Sequence, residues 1–275
     1  MSNVVATNVM ALNAQRNLNN NTMGLSTAME RLSSGLRVNS AKDDAAGLAV
    51  AERMNAQARG MNVAIRNASD AVSMVRTADG GLQQVTDTLQ RMRELAVQAA
   101  NGTYEDADRE LLDKEYQELA DELDRIIDVT KFNGISVLSD DENIDFQVGA
   151  NNEGEDRIEV EFKDVADFSG VEAAIDGDIE TATTAQAAID DIDDALDEVN
   201  EQRAVFGAAM NRFEATITNL RNASENQTAA MSRIMDADFA SETAALTRGQ
   251  VLQQSGIAIL AQANQAPQAV LGLLR

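Results

Sequence analysis

The chain has 275 residues, with no Cys, His or Trp, a single Pro, and 46 acidic against 22 basic side chains for a net charge of −24. The missing residue types exclude thiol and imidazole chemistry, Cys or His metal sites and disulfides, and the acidic balance argues against a nucleic-acid partner. With aromatics at 3% and apolar content drawn from Ala, Val, Leu, Ile and Met, long helices packed side by side are expected rather than one thick core.

The first segment carries a heptad-like stripe of Val4, Asn8, Ala11, Gln15, Leu18, Thr22, Leu25, Met29, Leu32 and Leu36, with steps alternating between four and three. Asn17, Asn19, Asn20 and Asn21 lower its helix propensity, so alone it is marginal. Ser33, Ser34, Gly35, Asn39 and Ser40 then break the pattern. Ser40, three residues before Asp43, predicts a capping-box-like helix start, with Asp43 and Asp44 at the positive end of the next helix. Gly35, Asn39, Ser40 and Asp43 thus mark a hinge, or spoke, within about residues 32–54.

Residues 44–100 read as one helix of ~85 Å at 1.5 Å per residue. Its stripe runs Met54, Ala58, Met61, Ile65, Ala68, Val72, Val75 and resumes after Asp79-Gly80-Gly81 as Leu82, Val85, Leu89, Met92, Ala96. The glycine pair predicts a local bend, not a stop. Asn101-Gly102 ends this helix. Thr103 starts the next, whose stripe is Leu112, Tyr116, Leu119, Leu123 and Ile126 and which closes near Phe132-Asn133-Gly134.

The period then becomes two: Ile144, Phe146, Val148 and Ile158, Val160, Phe162 alternate with polar residues around a hairpin loop at 149–157. Residues 163–182, acidic and Gly-containing, read as an exposed connection. Heptads return as Ile192, Leu196, Val199, Arg203, Phe206, Met210, Phe213, Ile217, Leu220, Ser224, Gln227, Met231 and Ile234, and this helix is expected to pair antiparallel with the helix of 44–100. The last segment, 236–275, is Ala-, Gln- and Leu-rich and carries Ile257, Ile259, Leu260, Val270, Leu271, Leu273 and Leu274; Pro267 is expected to kink or end its helix.

Charge divides the chain the same way. Residues 1–43 carry four basic and two acidic side chains, residues 236–275 two and three, and residues 44–235 16 and 41, a net of −25. Asp190, Asp191, Asp193, Asp194, Asp197 and Glu198 alternate with the apolar stripe of their own helix and read as its solvated face, not a cation site. No carboxylate pair is singled out and Gly80-Gly81 lacks the following Lys-Ser or Lys-Thr of a phosphate loop. No enzyme activity, cofactor or metal is expected. The N-terminus has neither the basic nor the continuous apolar region of a Sec signal, and no window of ~20 apolar residues spans a membrane.

Three stretches carry a resemblance. Arg31-Leu-Ser-Ser-Gly-Leu-Arg-Val-Asn-Ser-Ala-Lys-Asp-Asp-Ala-Ala-Gly-Leu-Ala, Leu89-Gln-Arg-Met-Arg-Glu-Leu-Ala-Val-Gln with Phe132-Asn-Gly, and the run from Leu252-Gln-Gln-Ser-Gly through Leu260-Ala-Gln-Ala-Asn-Gln-Ala-Pro to Arg275 resemble bacterial flagellin over about residues 1–138 and 185–275. That resemblance implies a secreted subunit, exported unfolded through the flagellar type III apparatus, that polymerises into the extracellular filament used for motility. It implies that the chain ends pair as a coiled coil lining an inner tube, with the central helices as the next shell. Only some 50 residues separate the matching parts, so the large variable outer domains of longer flagellins are absent. By the same resemblance, a vertebrate innate receptor would read Arg91, Leu95 and Glu115, while an export chaperone would hold the C-terminal segment near Leu260, Val270 and Leu271. The filament cap and hook-associated proteins would be further partners. In structural terms Leu95 equally suits helix packing, and Arg91 and Glu115 suit solvated charges.

The expected fold is therefore mainly α: a long antiparallel helical coiled-coil bundle (residues 44–235) with a small β-hairpin region at about 135–182, and a terminal coiled coil of residues 1–43 with 236–275. The end segments have apolar faces that nothing in the bundle covers, and Leu18, Leu25, Leu32, Ile257, Leu260, Leu271 and Leu274 are the expected assembly residues. Heterologous contacts through such ends make open helical polymers. The rivals are a hook–filament junction protein of the same family and a secreted coiled-coil ligand for a host receptor.

Overall fold

A computed structural model of the chain describes residues 7–272, with side chains described through residue 265. Val4, Leu273 and Leu274 lie outside the described residues, and of Val270 and Leu271 only the backbone is described. The elements are α1 (Val9–Ser34), α2 (Ala45–Ala99), α3 (Asp106–Val129), β1 (Lys131–Phe132), β2 (Ile135–Ser136), β3 (Glu142–Gln147), β4 (Arg157–Phe162), α4 (Ser169–Asp176), α5 (Ala182–Met235) and α6 (Phe239–Gly272). Two units are formed: Gln57–Glu225, and the residues up to Ala56 together with those from Asn226. Among the described residues no helix is long and apolar enough to cross a membrane.

The unit Gln57–Glu225 is built on α2, α3 and α5. Periodicity places Leu82, Val85, Leu89, Met92 and Leu95 of α2, Tyr116, Leu123 and Ile127 of α3, and Ile192, Val199, Phe206 and Phe213 of α5 in one core, all essentially without solvent exposure. Arg93 bonds Asp193 at 2.7 Å, Asp79 bonds Arg203 at 3.0 Å and Arg76 bonds Glu214 at 3.5 Å. Partner numbers fall along α2 as they rise along α5, so the two helices are antiparallel. The α5 seam is offset from the expected one: Ala195, Gln202 and Ala209 are buried where Leu196, Arg203 and Met210 were expected to be. Gln202 is accommodated because its Nε2 donates to the Glu161 carbonyl at 2.9 Å, and Arg203 because it reaches Asp79.

The β3–β4 hairpin lies in antiparallel register, Ile144 opposite Val160 and Phe146 opposite Ile158. Its inward residues meet α5 through two aromatic pairs, Phe146 with Phe213 (centroids 5.5 Å apart, edge to face) and Phe162 with Phe206 (5.3 Å). A second hairpin, β1–β2, turns at Asn133 and Gly134, both at positive φ (51° and 85°), where the sequence pattern suggested only a helix end.

Two expectations are corrected in this unit and one is met. The connection 163–182 is not an exposed strip: it contains α4, and Val165, Val171, Ala174 and Ile179 are completely buried. The reason is a set of specific contacts that hydrophobic period does not announce. Ser169 Oγ and Gly170 N donate to the Glu198 carboxylate at the N-terminus of α4, and Tyr116 donates its hydroxyl to Ala174 O at 2.9 Å. Second, as expected the glycine pair does not stop α2, which runs unbroken through Gly80 and Gly81; a Cβ at Gly81 would stand 2.7 Å from Leu138 and 2.9 Å from Thr130, so that glycine admits a close neighbour. Third, α3 starts not at Thr103 but at Asp106, with Glu105 and Asp108 forming a capping box. Arg109, buried, donates to the Ala99 and Asn101 carbonyls at 2.8 and 3.1 Å and so closes the C-terminal end of α2.

Candidate assembly interface

The other unit brings the chain ends together as an antiparallel pair, α1 with α6. On α1 the covered residues are Asn8, Ala11, Ala14, Leu18, Asn21, Leu25, Ala28, Arg31 and Leu32; on α6 they are Glu242, Leu246, Gly249, Gln253, Gly256, Leu260 and Ala263, stepping by four and three. Leu18, Leu25, Leu32 and Leu260 thus lie in the seam as expected. Gln15, Thr22 and Met29 do not: Ala14, Asn21 and Ala28 take their places, because two helices approach more closely over small side chains.

Polar and glycine contacts lace this seam. Asn8 Nδ2 donates to Ala263 O at 2.7 Å, Asn21 Nδ2 to Gly249 O at 2.8 Å, and Arg31 Nη1 to Glu242 Oε1 at 3.1 Å. Leu25 Cδ1 stands 3.1 Å from where a Cβ on Gly249 would be, and Leu18 Cδ1 3.3 Å from the same point on Gly256. α6 neither kinks to a stop nor ends at Pro267; it continues to Gly272.

Other large apolar side chains point away from the seam. Met10, Met23, Val251 and Ile257 are 67, 62, 58 and 54% exposed, and Val9, Leu12, Met29, Phe239, Leu252 and Ile259 are exposed too. A groove of about 590 Å³ along α6, lined by Ala240, Ala244, Val251 and Leu252 among others, belongs to this surface. The pair therefore has a seam that mixes leucines with small and polar residues, and an exterior that carries further large apolar side chains, more than a helix pair stable by itself leaves exposed.

Between the helices run two linkers that are bonded to each other. Gly35, at φ +73°, ends α1 and donates to Arg31 O at 2.9 Å. Leu36 and Asp236 form an antiparallel bridge, Ala237 N donates to Gly35 O at 3.0 Å, and Arg37 donates both from its backbone N to Met235 O and from its guanidinium to Ile234 O, each at 2.6 Å. Asn39 Nδ2 reaches back to Glu30 at 2.9 Å. Ser40 does not start the next helix. Asp43 folds back instead, accepting from the backbone N–H groups of Asn39 and Ser40 and from the Ser40 hydroxyl. The Ser40 hydroxyl first, then those amides, hold the Asp43 carboxyl below its ordinary value. Asp44 takes the capping position, accepting from Gly47 N at 2.8 Å.

In the unit Gln57–Glu225, Arg91 Nη2 pairs with Glu115 Oε1 at 2.6 Å and Arg91 Nη1 with Glu94 at 2.8 Å, all of them exposed. Glu115 and Glu94 hydrogen bonds hold the Arg91 guanidinium above its ordinary value. Leu95 is 1% exposed, inside the helix core. Sequence periodicity put Asn8 on the α1 stripe but gave no sign of its hydrogen bond, nor of Gly249, Gly256 or Arg37 as contact residues.

Comparison with known proteins places relatives along the whole chain. Residues 5–143 match the family described as the bacterial flagellin N-terminal helical region, and residues 189–274 the bacterial flagellin C-terminal helical region. The chain is 50% identical over 274 residues to a flagellin of Halalkalibacterium halodurans, covering 99% of this chain and 100% of that one. It is 41% identical over 302 residues to a flagellin of Bacillus subtilis, covering 98% of each. Among solved structures it resembles the crystal structure of Bacillus cereus flagellin (TM-score 0.50, 33% identity, 56% of this chain and 88% of that one). A putative flagellar hook-associated protein from Vibrio parahaemolyticus shares the fold at 13% identity (TM-score 0.60, 70% of this chain and 100% of that one).

Proposed function

Because this chain belongs to the bacterial flagellin family and is a structural subunit of the flagellar filament, we propose that α1 and α6 are its polymerising elements and that other copies of the chain cover their outer faces. One observation carries this reading: many large apolar side chains of both helices, Met10, Met23, Val251 and Ile257 among them, lie exposed outside the seam of the pair. A helix pair so built leaves much of its apolar surface in water, and neighbouring subunits gain at about 25 cal/mol per Å² of it that they cover. The ends are then disordered in the monomer and fold on assembly. Limited proteolysis tests it: cleavage within residues 1–35 and 245–275 is fast in the monomer and absent in the filament. Ends that resist protease in the monomer would overturn the reading.

The finer points follow from the same premise. Residues 1–43 with 236–275 form the inner coiled coil, joined through the spoke at about 32–54 to a body of 44–235. The subunit is exported, resides outside the cell and has no catalytic role. It meets an export chaperone at the C-terminal segment, with cap and hook-associated proteins at the filament ends. Bulk filament subunit is favoured over junction protein by the 50% identity along the full length of a flagellin. Electron microscopy of the purified protein, looking for long helical tubes, separates the filament subunit from both a junction protein and a receptor ligand. For a vertebrate innate receptor, Arg91 and Glu115 offer the accessible charges, with Leu95 setting the helix surface beneath them; loss of reporter signalling with R91A and E115A, in filament-competent protein, is the check.

A further inference from the structure

Pro267 lies inside α6, yet it has no amide hydrogen to give to the carbonyl four residues back, that of Ala263. Ala263 is 6% exposed, so water does not readily serve it. The donor comes from the other end of the chain: Asn8 Nδ2, at 2.7 Å. The same side chain uses its Oδ1 to accept from Ala11 N at 3.0 Å and so caps α1. One asparagine thus starts one helix and completes the hydrogen bonding of another, 255 residues away. Further along, Leu18 and Leu25 sit over Gly256 and Gly249, and Asn21 donates to Gly249 O, all consistent with a single register.

We propose that Asn8 and Pro267 form a matched pair which, with the Leu18–Gly256 and Leu25–Gly249 contacts, fixes the register in which the two ends zip together during polymerisation. A seam in which leucines and small residues recur at heptad spacing discriminates poorly between registers by burial, because sliding it by one heptad brings similar residues into contact. An orphaned carbonyl discriminates well. In a one-heptad slip Asn8 no longer lies opposite Ala263, and one of the two leucines loses its glycine. Asparagine at one seam position of a coiled coil fixes register by the same logic. The register determinants for end pairing are therefore Asn8, Pro267, Gly249 and Gly256, whereas the exposed methionines and isoleucines serve the contacts between copies.

This inference rests on the reading that the ends pair on assembly, and the test separates the two. Asn8→Ser keeps a capping oxygen but is too short to reach Ala263; it should raise the critical concentration for polymerisation roughly tenfold, the effect of leaving one buried acceptor unpaired. Pro267→Ala supplies the missing amide hydrogen, so N8S in that background should cost less than about threefold. Equal effects of N8S in both backgrounds would overturn the Asn8–Pro267 pairing. If L25D, which puts a charge in the seam, leaves polymerisation unchanged, the end-pairing reading itself fails. Register is read directly, since the chain has no Cys: in filaments, A14C should form a disulfide with L260C and not with Q253C, one heptad away. With N8S the 253 cross-link should appear alongside; its absence would show that Asn8 does not set the register.

Discussion

Replacing Gly35 separates the linker's contribution from that of the helices it joins. Gly35 sits at φ +73°, and a Cβ there would meet nothing within 4 Å. An alanine therefore perturbs only the backbone, by the roughly 1–2 kcal/mol of holding a non-glycine residue in the left-handed region. That predicts a critical concentration about 5- to 30-fold higher. Proline is worse on two counts: its φ is fixed near −65°, and it removes the N–H that bonds Arg31 O at 2.9 Å. A cost of about 3 kcal/mol or more follows, above ~100-fold in critical concentration. The assay is sedimentation of seeded polymerisation reactions alongside urea unfolding of the same full-length variants. The graded order glycine, alanine, proline should appear in polymerisation only, with the unfolding midpoint of the central unit unmoved. Wild-type polymerisation by G35P, or a lowered midpoint of the central unit, would refute the reasoning.

Other perturbations probe the central unit and its charge. Burial, ahead of the charges on Asp191, Asp113 and Asp178, pushes the Tyr116 phenol well above its ordinary value of 10. The stability tied to that shift is present below pH 10 and lost as pH rises beyond it, because the unfolded phenol ionises first. Urea midpoints should fall above pH 10 in the wild type and much less in Y116F, which costs about 1 kcal/mol at neutral pH; parallel curves would disprove the assignment. Residues 77–214 hold 37 acidic against 10 basic side chains, so filaments should gain stability as salt rises and the screening length falls from ~30 Å at 0.01 M to ~3 Å at 1 M. Salt-independent critical concentrations would count against this. Gly170→Ala would place a Cβ 2.2 Å from Ala195 N, and the displaced α4 should cost the central unit about 1–3 kcal/mol by urea unfolding; an unchanged midpoint would show that α4 yields freely.

What was legible in the sequence is what period records. The long helices α2 and α5 and the β3–β4 hairpin were found because Leu82, Val85, Leu89 and Ile158, Val160, Phe162 repeat at the spacing of the face they bury. Three positions of the α1 stripe, Gln15, Thr22 and Met29, were one residue out, because an apolar stripe favours Met29 over its neighbour Ala28 while close helix approach favours the reverse. α4 escaped notice since eight residues contain too little period, and its place is set by Glu198, Tyr116 and Gly170, which are distant in sequence. At the interface Leu18, Leu25 and Leu260 were visible as apolar seam residues. The hydrogen bonds of Asn8, Asn21 and Arg37 were not, because each donates to a backbone carbonyl on a segment some 200 residues or more away. The start at Asp44 rather than Ser40 is a choice between two carboxylates, decided by which one turns back on itself.

The stitched linkers have a mechanical consequence. A lone strand between two helices is a swivel: torque applied at one end is relieved by rotation about single bonds and never reaches the other. Here Arg37, Leu36 and Gly35 of one strand are tied to Ile234, Met235, Asp236 and Ala237 of the other, so the strands act as two springs in parallel joined by rungs. Such a ladder yields to bending but resists twist, since twisting must shear the rungs. Rotation imposed on α1 and α6 is delivered to the start of α2 and the end of α5, which is what a rotating drive shaft requires of every joint in it.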